Sequence, residues 1–400
     1  MQPAKQIVAD RVSVSCTPQR ADSDSLARTD RPETLTVDTP TFDLRPTTTP
    51  TADNVRDEIL AAPGFGQYFS DHMVHVRWTP AEGWHGAELR PYGPLTFDPA
   101  SPVLHYAQEI FEGLKAYRHA DGSVWGFRPE RNAARFRQSA DRLALPRLDD
   151  ATFLESLRVL VEKDAAWVPT PRDASEECSL YLRPFMIANG RFLGVKPAAE
   201  VDYYLIASPA ASYFKGAGKP VSIWLSSRYN RAAPGGTGFA KTGGNYASSL
   251  VAQQEAIDHG CDQVAFLDAA ENKWVEELGG MNLFFVYADG RLVTPALTGT
   301  ILEGVTRDSI LTLARDLDLT PEERPISIDE WRDGVASGDI VEVFACGTAA
   351  VITSIGRLMS ADETIDSPAG NDISQRLRTR LLDIQYGRAE DTHGWMTRLA

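Results

Sequence analysis

Lys241 stands in the segment PGGTGFAKTGGN (234–245), behind Gly235, Gly236 and Gly238 and ahead of Gly243 and Gly244. Glycines permit tight backbone turns and close approach of a ligand. The chain carries 8 lysines against 32 arginines, so a lysine in such a loop stands out. A lysine that sheds its proton can attack a carbonyl, which an arginine cannot do. No Asp or Glu occurs from 231 to 254, so no neighbour in sequence holds the ammonium charged. GGTGFAKT also approaches a phosphate loop, but Ala240 occupies the required glycine position and RYNRAAP replaces the apolar lead-in strand. A nucleotide triphosphatase is therefore excluded. On this segment alone, a Schiff-base lysine and a flexible surface lysine both stay open.

Other residues narrow the choice. Glu276 and Glu277 interrupt the apolar run WVEELGGMNLFFV, and strand alternation sends one outward and one inward. An inward carboxylate stays charged only beside a cation. A buried arginine would serve, and so would the protonated ring nitrogen of pyridoxal phosphate. Gly304-Val305-Thr306 opens a helix whose free N–H groups suit an anion. Cys346-Gly347-Thr348 makes a second tight turn, between apolar strands. Arg135 could add a charge-assisted contact. One lysine, one inward carboxylate and two anion-binding turns together fit pyridoxal phosphate.

Positioning these groups takes a sizeable scaffold. The chain has 400 residues, 43% hydrophobic and 24% charged, enough for two or three domains. Its net charge of −15 argues against nucleic-acid binding. It has no apolar run of membrane-spanning length and no secretory signal layout, so a cytoplasmic enzyme is expected. Cys16, Cys178, Cys261 and Cys346 lie far apart, without metal-ligand or disulfide spacing. His72 and His75 face opposite sides of a strand and form no metal pair. Residues 1–52, rich in Pro and Thr, read as a disordered or loosely attached extension, and their deletion is expected to leave turnover intact.

Strands are expected at 72–78, 123–128, 179–188 and 201–209, with helices over 128–143 and 152–167. These make a small N-terminal α+β domain over 53–212. A linker at 213–220 leads to a larger domain over 221–400. There the signals are a strand at 221–226, helices at 246–260 and 305–319, and an Asp289-Gly290 hairpin. Ser327 with Glu330 reads as a capping box, and strands at 340–345 and 349–356 close the sheet.

FEGLKAYR (111–118), YLRPFMIANGRFLGV (181–195), KTGGNYASSL (241–250), EELGGMNLFFV (276–286), GVTRDSIL (304–311) and CGTAAVI (346–352) resemble branched-chain amino acid aminotransferases. These are fold-type IV pyridoxal phosphate enzymes. The resemblance runs in order from about Phe65 to the DIQYGR segment (383–388). It implies a two-domain α+β fold whose larger domain has a β-barrel-like sheet flanked by helices. It also implies a homodimer in which loops of one subunit close the other's site. The implied reaction is reversible, ping-pong transfer of the amino group of leucine, isoleucine or valine to 2-oxoglutarate.

By the same resemblance Lys241 would carry the cofactor and shuttle the reacting proton. Glu277 would pair with the ring nitrogen, Tyr246 with the ring hydroxyl, and Leu302 would pack on the ring. Arg135, Val305, Thr306 and Thr348 would hold the phosphate. Phe69, Tyr106, Phe111, Tyr181, Tyr213 and Ala349 would line the substrate pocket, and Arg183 would meet the side-chain carboxylate of glutamate. FEGLKAYR and YLRP speak against a D-amino acid aminotransferase or an aminodeoxychorismate lyase. Retention of Lys241 and Glu277 speaks against a non-catalytic pyridoxal phosphate binder. Three departures stand out. Glu303 replaces the family's common proline, Gly280 replaces a threonine of some relatives, and GTAAVITS (347–354) lacks the redox cysteine pair that others carry.

Overall fold

Two mixed sheets carry the fold in the computed structural model, which describes residues 40–174, 176–213, 219–368 and 370–400. All of these belong to one compact unit. The first sheet runs Asp43–Leu44, Gly83–Pro91, His72–Thr79, Val201–Ala210, Ser179–Ala188, Leu114–Arg118, Val124–Phe127 and Met396–Arg398. Glu109–Phe111 adds to it by pairing with Ser179–Ala188. All four strand signals of the N-terminal half fall on these elements. The chain's last strand also joins this sheet, although it follows the whole second half in sequence.

Helices Pro129–Arg142 and Asp150–Lys163 cover the first sheet. Pro129 sits at the first helical position, where its missing N–H costs no hydrogen bond. Asn132, Ala133, Phe136, Ser139 and Ala140 recur at helical spacing and are buried, and Arg135 is buried beside them. Asp149 caps the second helix by accepting from Thr152 N–H. Phe136, Phe153 and Leu157 pack on Val74, Leu180 and Leu205 of the sheet.

The second sheet closes on itself. Val275–Leu278, Gln263–Leu267, Val221–Ser226, Val351–Met359, Ile340–Gly347 and Asn282–Tyr287 follow one another. A final pairing of Glu277 with Asn282 completes a six-strand barrel. NLFFVY is buried along its whole length, as expected where both faces of a strand are covered. Leu283 and Phe285 belong to one core with Ile223, Leu225 and Ala345. Phe284 and Val286 belong to another with helices Val305–Asp316 and Asp372–Gln385. That second core includes Tyr117 and Phe127 of the first sheet, so apolar packing joins the two halves. Ser327 caps helix Ile328–Ser337 by accepting from Glu330 N–H, as its spacing indicated.

Three expectations change. The extension ends before residue 52, because Phe42 is buried in the first core and Asp43–Leu44 pairs with Gly83–Pro91. Residues 1–39 lie outside the described residues, as do 214–218 of the expected linker. The helix expected at 246 begins at Gly243, where its first N–H is accepted by Glu109 from the first sheet. Glu276 and Glu277 are both buried, at 5% and 2% exposure, so neither meets solvent.

Truncating Phe42→Ala should cost about 3 kcal/mol of unfolding free energy, read by chemical denaturation. A loss below about 0.5 kcal/mol would show that the segment is loosely held. Lys115 allows a pH test. It is buried and donates from Nζ to Ala349 O at 3.0 Å, tying Leu114–Arg118 to the turn before Val351–Met359. Burial, with Arg378 nearby, pulls its ammonium down from 10.5 to about 8. Between those values the unfolded chain binds the proton that the folded chain has released, so this group's contribution rises with pH. Wild-type stability minus that of Lys115→Met should therefore grow by about 2 kcal/mol across the window. A flat difference would place Lys115 in a less desolvated setting.

Candidate active site

The cavity at the junction of barrel and first sheet has a volume of about 350 Å³. Lys241 reaches it from a loop that is clamped at several points. Lys241 N–H donates to Ser139 Oγ at 2.9 Å, and Lys241 O accepts from Phe111 N–H at 3.0 Å. Asn245 bonds Thr237 O and Ala240 O at 2.8 Å each, which sets the turn before the lysine. A Cβ at Gly238 would collide with the backbone of Thr300, so the loop can lie there only with glycine. Lys241 Nζ donates to Tyr246 OH at 2.9 Å and lies 4.8 Å from the centre of the Phe111 ring. It makes no ion pair among the described residues.

Glu277 enters from the barrel strand Val275–Leu278. Its carboxylate forms a buried ion pair with Arg231 and accepts from Leu302 N–H at 3.0 Å. Burial raises its pKa, and Arg231 with the Leu302 bond only partly offsets that. Leu302 is held from its other side, where its O accepts from Asn282 Nδ2 at 3.1 Å. Two residues later Gly304 begins helix Val305–Asp316 without a side-chain cap. The first N–H groups of that helix lack intrahelical acceptors and stand at the cavity edge through Val305 and Thr306. Thr348 and Ala349 lie opposite, in the turn whose end, Val351, adopts φ +59°. That conformation is costly for a β-branched residue, and such strain gathers at functional turns.

Arg135 is placed differently from the simple expectation. Its Nε and Nη2 both bond Glu112 at 2.8 Å, and its Nη1 donates to Glu303 O at 2.9 Å. Glu112 is fully buried and also accepts from Asn132 Nδ2 at 2.7 Å. Arg135 can therefore meet an anion only through its remaining N–H groups. Burial opposes ionisation of Glu112, but Arg135 outweighs it and holds the carboxyl below the usual range. The Glu303 side chain is exposed and accepts from Gln138 Nε2 at 3.3 Å.

The remaining wall is aromatic. Arg183 Nη2 donates to Tyr181 OH at 3.1 Å, and its guanidinium lies 4.8 Å from the Phe111 ring centre. Its Nε is buried without a hydrogen-bond partner, and it forms no ion pair among the described residues. Phe65 packs edge-on against Tyr181 and Tyr213, at 5.1 and 5.2 Å. Two expected pocket residues do not line this cavity. Phe69 instead stacks on Tyr92 at 5.0 Å. Tyr106 is 40% exposed and bonds Leu193 O. The other thirteen residues expected at the site all line the cavity.

Sequence reasoning missed Phe65, Glu112 and Arg231. The need for a cation beside Glu277 was a signal for Arg231, but not for which of many arginines it would be. The residues present fit pyridoxal phosphate. A lysine without an ion pair among the described residues, a buried carboxylate, a tyrosine hydroxyl, a helix start without a side-chain cap and the Thr348 turn converge on one cavity. Burial keeps Cys346 protonated, above the ordinary thiol range.

The family model for amino-transferase class IV matches residues 109–358. The chain is 58% identical over 364 residues to a probable branched-chain-amino-acid aminotransferase of Streptomyces coelicolor, covering 90% of this chain and 99% of that relative. The crystal structure of the Escherichia coli branched-chain amino acid aminotransferase superposes with a TM-score of 0.68 at 30% identity, over 82% of this chain and 99% of that one. The branched-chain amino acid aminotransferase of Thermoproteus uzoniensis, crystallised with norvaline, gives 0.67 at 25% identity, over 82% and 100%. A further branched-chain amino acid aminotransferase, complexed with N-(5'-phosphopyridoxyl)-L-glutamate, gives 0.65 at 28% identity, over 81% and 98%. The chain belongs to the branched-chain amino acid aminotransferases, pyridoxal phosphate-dependent enzymes of the class IV aminotransferase family.

Proposed function

We propose that the chain moves the amino group of leucine, isoleucine or valine to 2-oxoglutarate, in two half-reactions on one site. The observation that carries this reading is Arg183, a guanidinium set in an aromatic wall with no ion pair among the described residues. One site must accept both an aliphatic side chain and a γ-carboxylate. Phe65, Phe111, Tyr181 and Tyr213 bury the first, while Arg183 with the Tyr181 hydroxyl pairs the second.

Bound pyridoxal phosphate supplies an electron sink that makes the substrate Cα–H acidic. Lys241 Nζ, oriented by the Tyr246 hydroxyl, removes and returns that proton. Glu277 would pair with the ring nitrogen, and Arg231 helps a carboxylate this deeply buried to stay charged. Val305, Thr306 and Thr348 would hold the phosphate with the free N–H groups of Arg135. The aromatic wall excludes water from the reacting carbon.

The enzyme works as a homodimer in this reading. Leu104, Tyr106, Leu193 and Val195 are 57%, 40%, 60% and 87% exposed, and Tyr106, bonded to Leu193 O, lies outside the chain's own cavity. Tyr106 would then complete the site of a second copy. The free, buried Cys178, Cys261 and Cys346 are in keeping with a reducing cytoplasm.

Absorbance titration with L-leucine should convert the cofactor's band to the pyridoxamine form, and 2-oxoglutarate should restore it. Lys241→Ala should lower turnover by roughly 10²–10⁴-fold. Unchanged turnover would remove the lysine from its assigned role. Arg183→Met should raise KM for 2-oxoglutarate about 10–100-fold while sparing the leucine half-reaction. Equal losses for both substrates would contradict the shared-site reading. Val195→Asp should give monomers by sedimentation, with Tyr106→Ala losing activity as a dimer; a fully active monomer would refute the assembly.

A further inference from the structure

The backbone of Lys241 finds its partners outside its own half of the chain. Its N–H donates to Ser139 Oγ at 2.9 Å, and its O accepts from Phe111 N–H at 3.0 Å. Ser139 is fully buried and stands one helical turn after Arg135 on Pro129–Arg142. Phe111 lies opposite Phe185, on the strand that also carries Tyr181 and Arg183.

Glu109 extends this grip by two residues. Helix Gly243–Asp258 starts without a side-chain cap from Thr242. The Glu109 carboxylate takes that place, accepting from Gly243 N–H and, at 3.4 Å, from Thr242 Oγ1. A Cβ at Gly243 would collide with Glu109 Oε1, so glycine is what lets the carboxylate come this close. One strand of the first sheet, Glu109–Phe111, thereby meets residues 241, 242 and 243 in turn. A helix covering that sheet holds the same lysine by its N–H.

Phe111, Tyr181 and Arg183 of the cavity wall belong to the first sheet, whereas Glu277 stands on a barrel strand. A base that works between the two must keep register with the wall that holds the substrate. Misplacing a reacting group by about 1 Å can cost about 100-fold in rate.

We propose that Ser139 and Glu109 are positioning residues that register Lys241 against the substrate wall, and that they act on proton transfer rather than on binding. This rests on the reading of Lys241 as the group that moves the substrate proton.

The test mixes the pyridoxal phosphate-loaded protein with saturating L-leucine, or its α-deuterated form, and follows the single-turnover loss of the cofactor's band. Ser139→Ala and Glu109→Leu should each slow that step about 10–100-fold. Its amplitude, which counts loaded sites, and its half-saturating leucine concentration should stay as in the wild type. Deuteration should slow the step in these variants at least as much as in the wild type. Glu109→Gln keeps an acceptor for Gly243 and should stay within about threefold of the wild-type rate. Gly243→Ala displaces the carboxylate from the other side and should reproduce Glu109→Leu. Amide hydrogen exchange over residues 241–243 of the loaded, substrate-free protein should quicken in Ser139→Ala and Glu109→Leu. Unchanged rates, a loss confined to the amplitude, no isotope effect in the slowed variants, unchanged exchange, or a Glu109→Gln as slow as Glu109→Leu would each overturn the proposal. A wild-type rate in Lys241→Ala would instead remove the reading beneath it.

Discussion

The buried pairing of Arg231 with Glu277 is the constraint on which the site depends. The same guanidinium donates to Gly238 O and Thr300 O at 2.8 Å each. It therefore joins three segments that are distant in sequence: the glycine loop before Lys241, the barrel strand bearing Glu277, and the stretch leading to helix Val305–Asp316. Glu277 in turn accepts from Leu302 N–H, which fixes the approach to that helix. Lys241, Glu277 and the first N–H groups of that helix thus share one reference point. A buried ion pair is weak evidence for net stability, because desolvation consumes most of the Coulomb attraction. Losing one partner would nonetheless cost about 3–5 kcal/mol, since the other would stay buried and unpaired. The pair defines a geometry more than it adds stability.

Arg135 and Glu112 repeat this logic on the side of the first sheet. Their two parallel bonds hold the guanidinium in one orientation. Arg183 contrasts with both. It lines the cavity with its guanidinium over the Phe111 ring and forms no ion pair among the described residues. Two arginines are committed to carboxylates of the scaffold, and Arg183 is not. The distribution of partners, rather than the residue type, separates structure from recognition.

Packing makes this precision possible. Along Asn282–Tyr287 alternate residues feed an inner core and an outer core covered by helices. Close-packed cores transmit small displacements, and the ends of these strands carry Glu277 and the Thr348 turn. Glu109 adds a cross-element tie by accepting from Gly243 N–H, two residues after Lys241. The same tie explains why the helix starts earlier than its apolar pattern suggests.

Much was legible in the sequence because it depends on near neighbours. Strand alternation in SLYLRPFMIA, the Ser327 cap, the Asp289-Gly290 hairpin and the glycines around Lys241 act within a few residues. Linked motifs in a fixed order then carried the family, and with it most of the cavity-lining residues. Choices between distant partners were decided only in three dimensions. Alternation along WVEEL sends one glutamate outward, but all four residues of Val275–Leu278 are buried where the barrel is covered. Phe65 rather than Phe69 meets Tyr181, because the turn after Pro63 sets which ring reaches inward. Tyr106 faces away from its own cavity for the same reason of chain path. Local chemistry determines which elements form, since backbone bonds and side-chain period act over a few residues. Which arginine meets which carboxylate depends on loop closure across long stretches of chain, and only the assembled core selects among them.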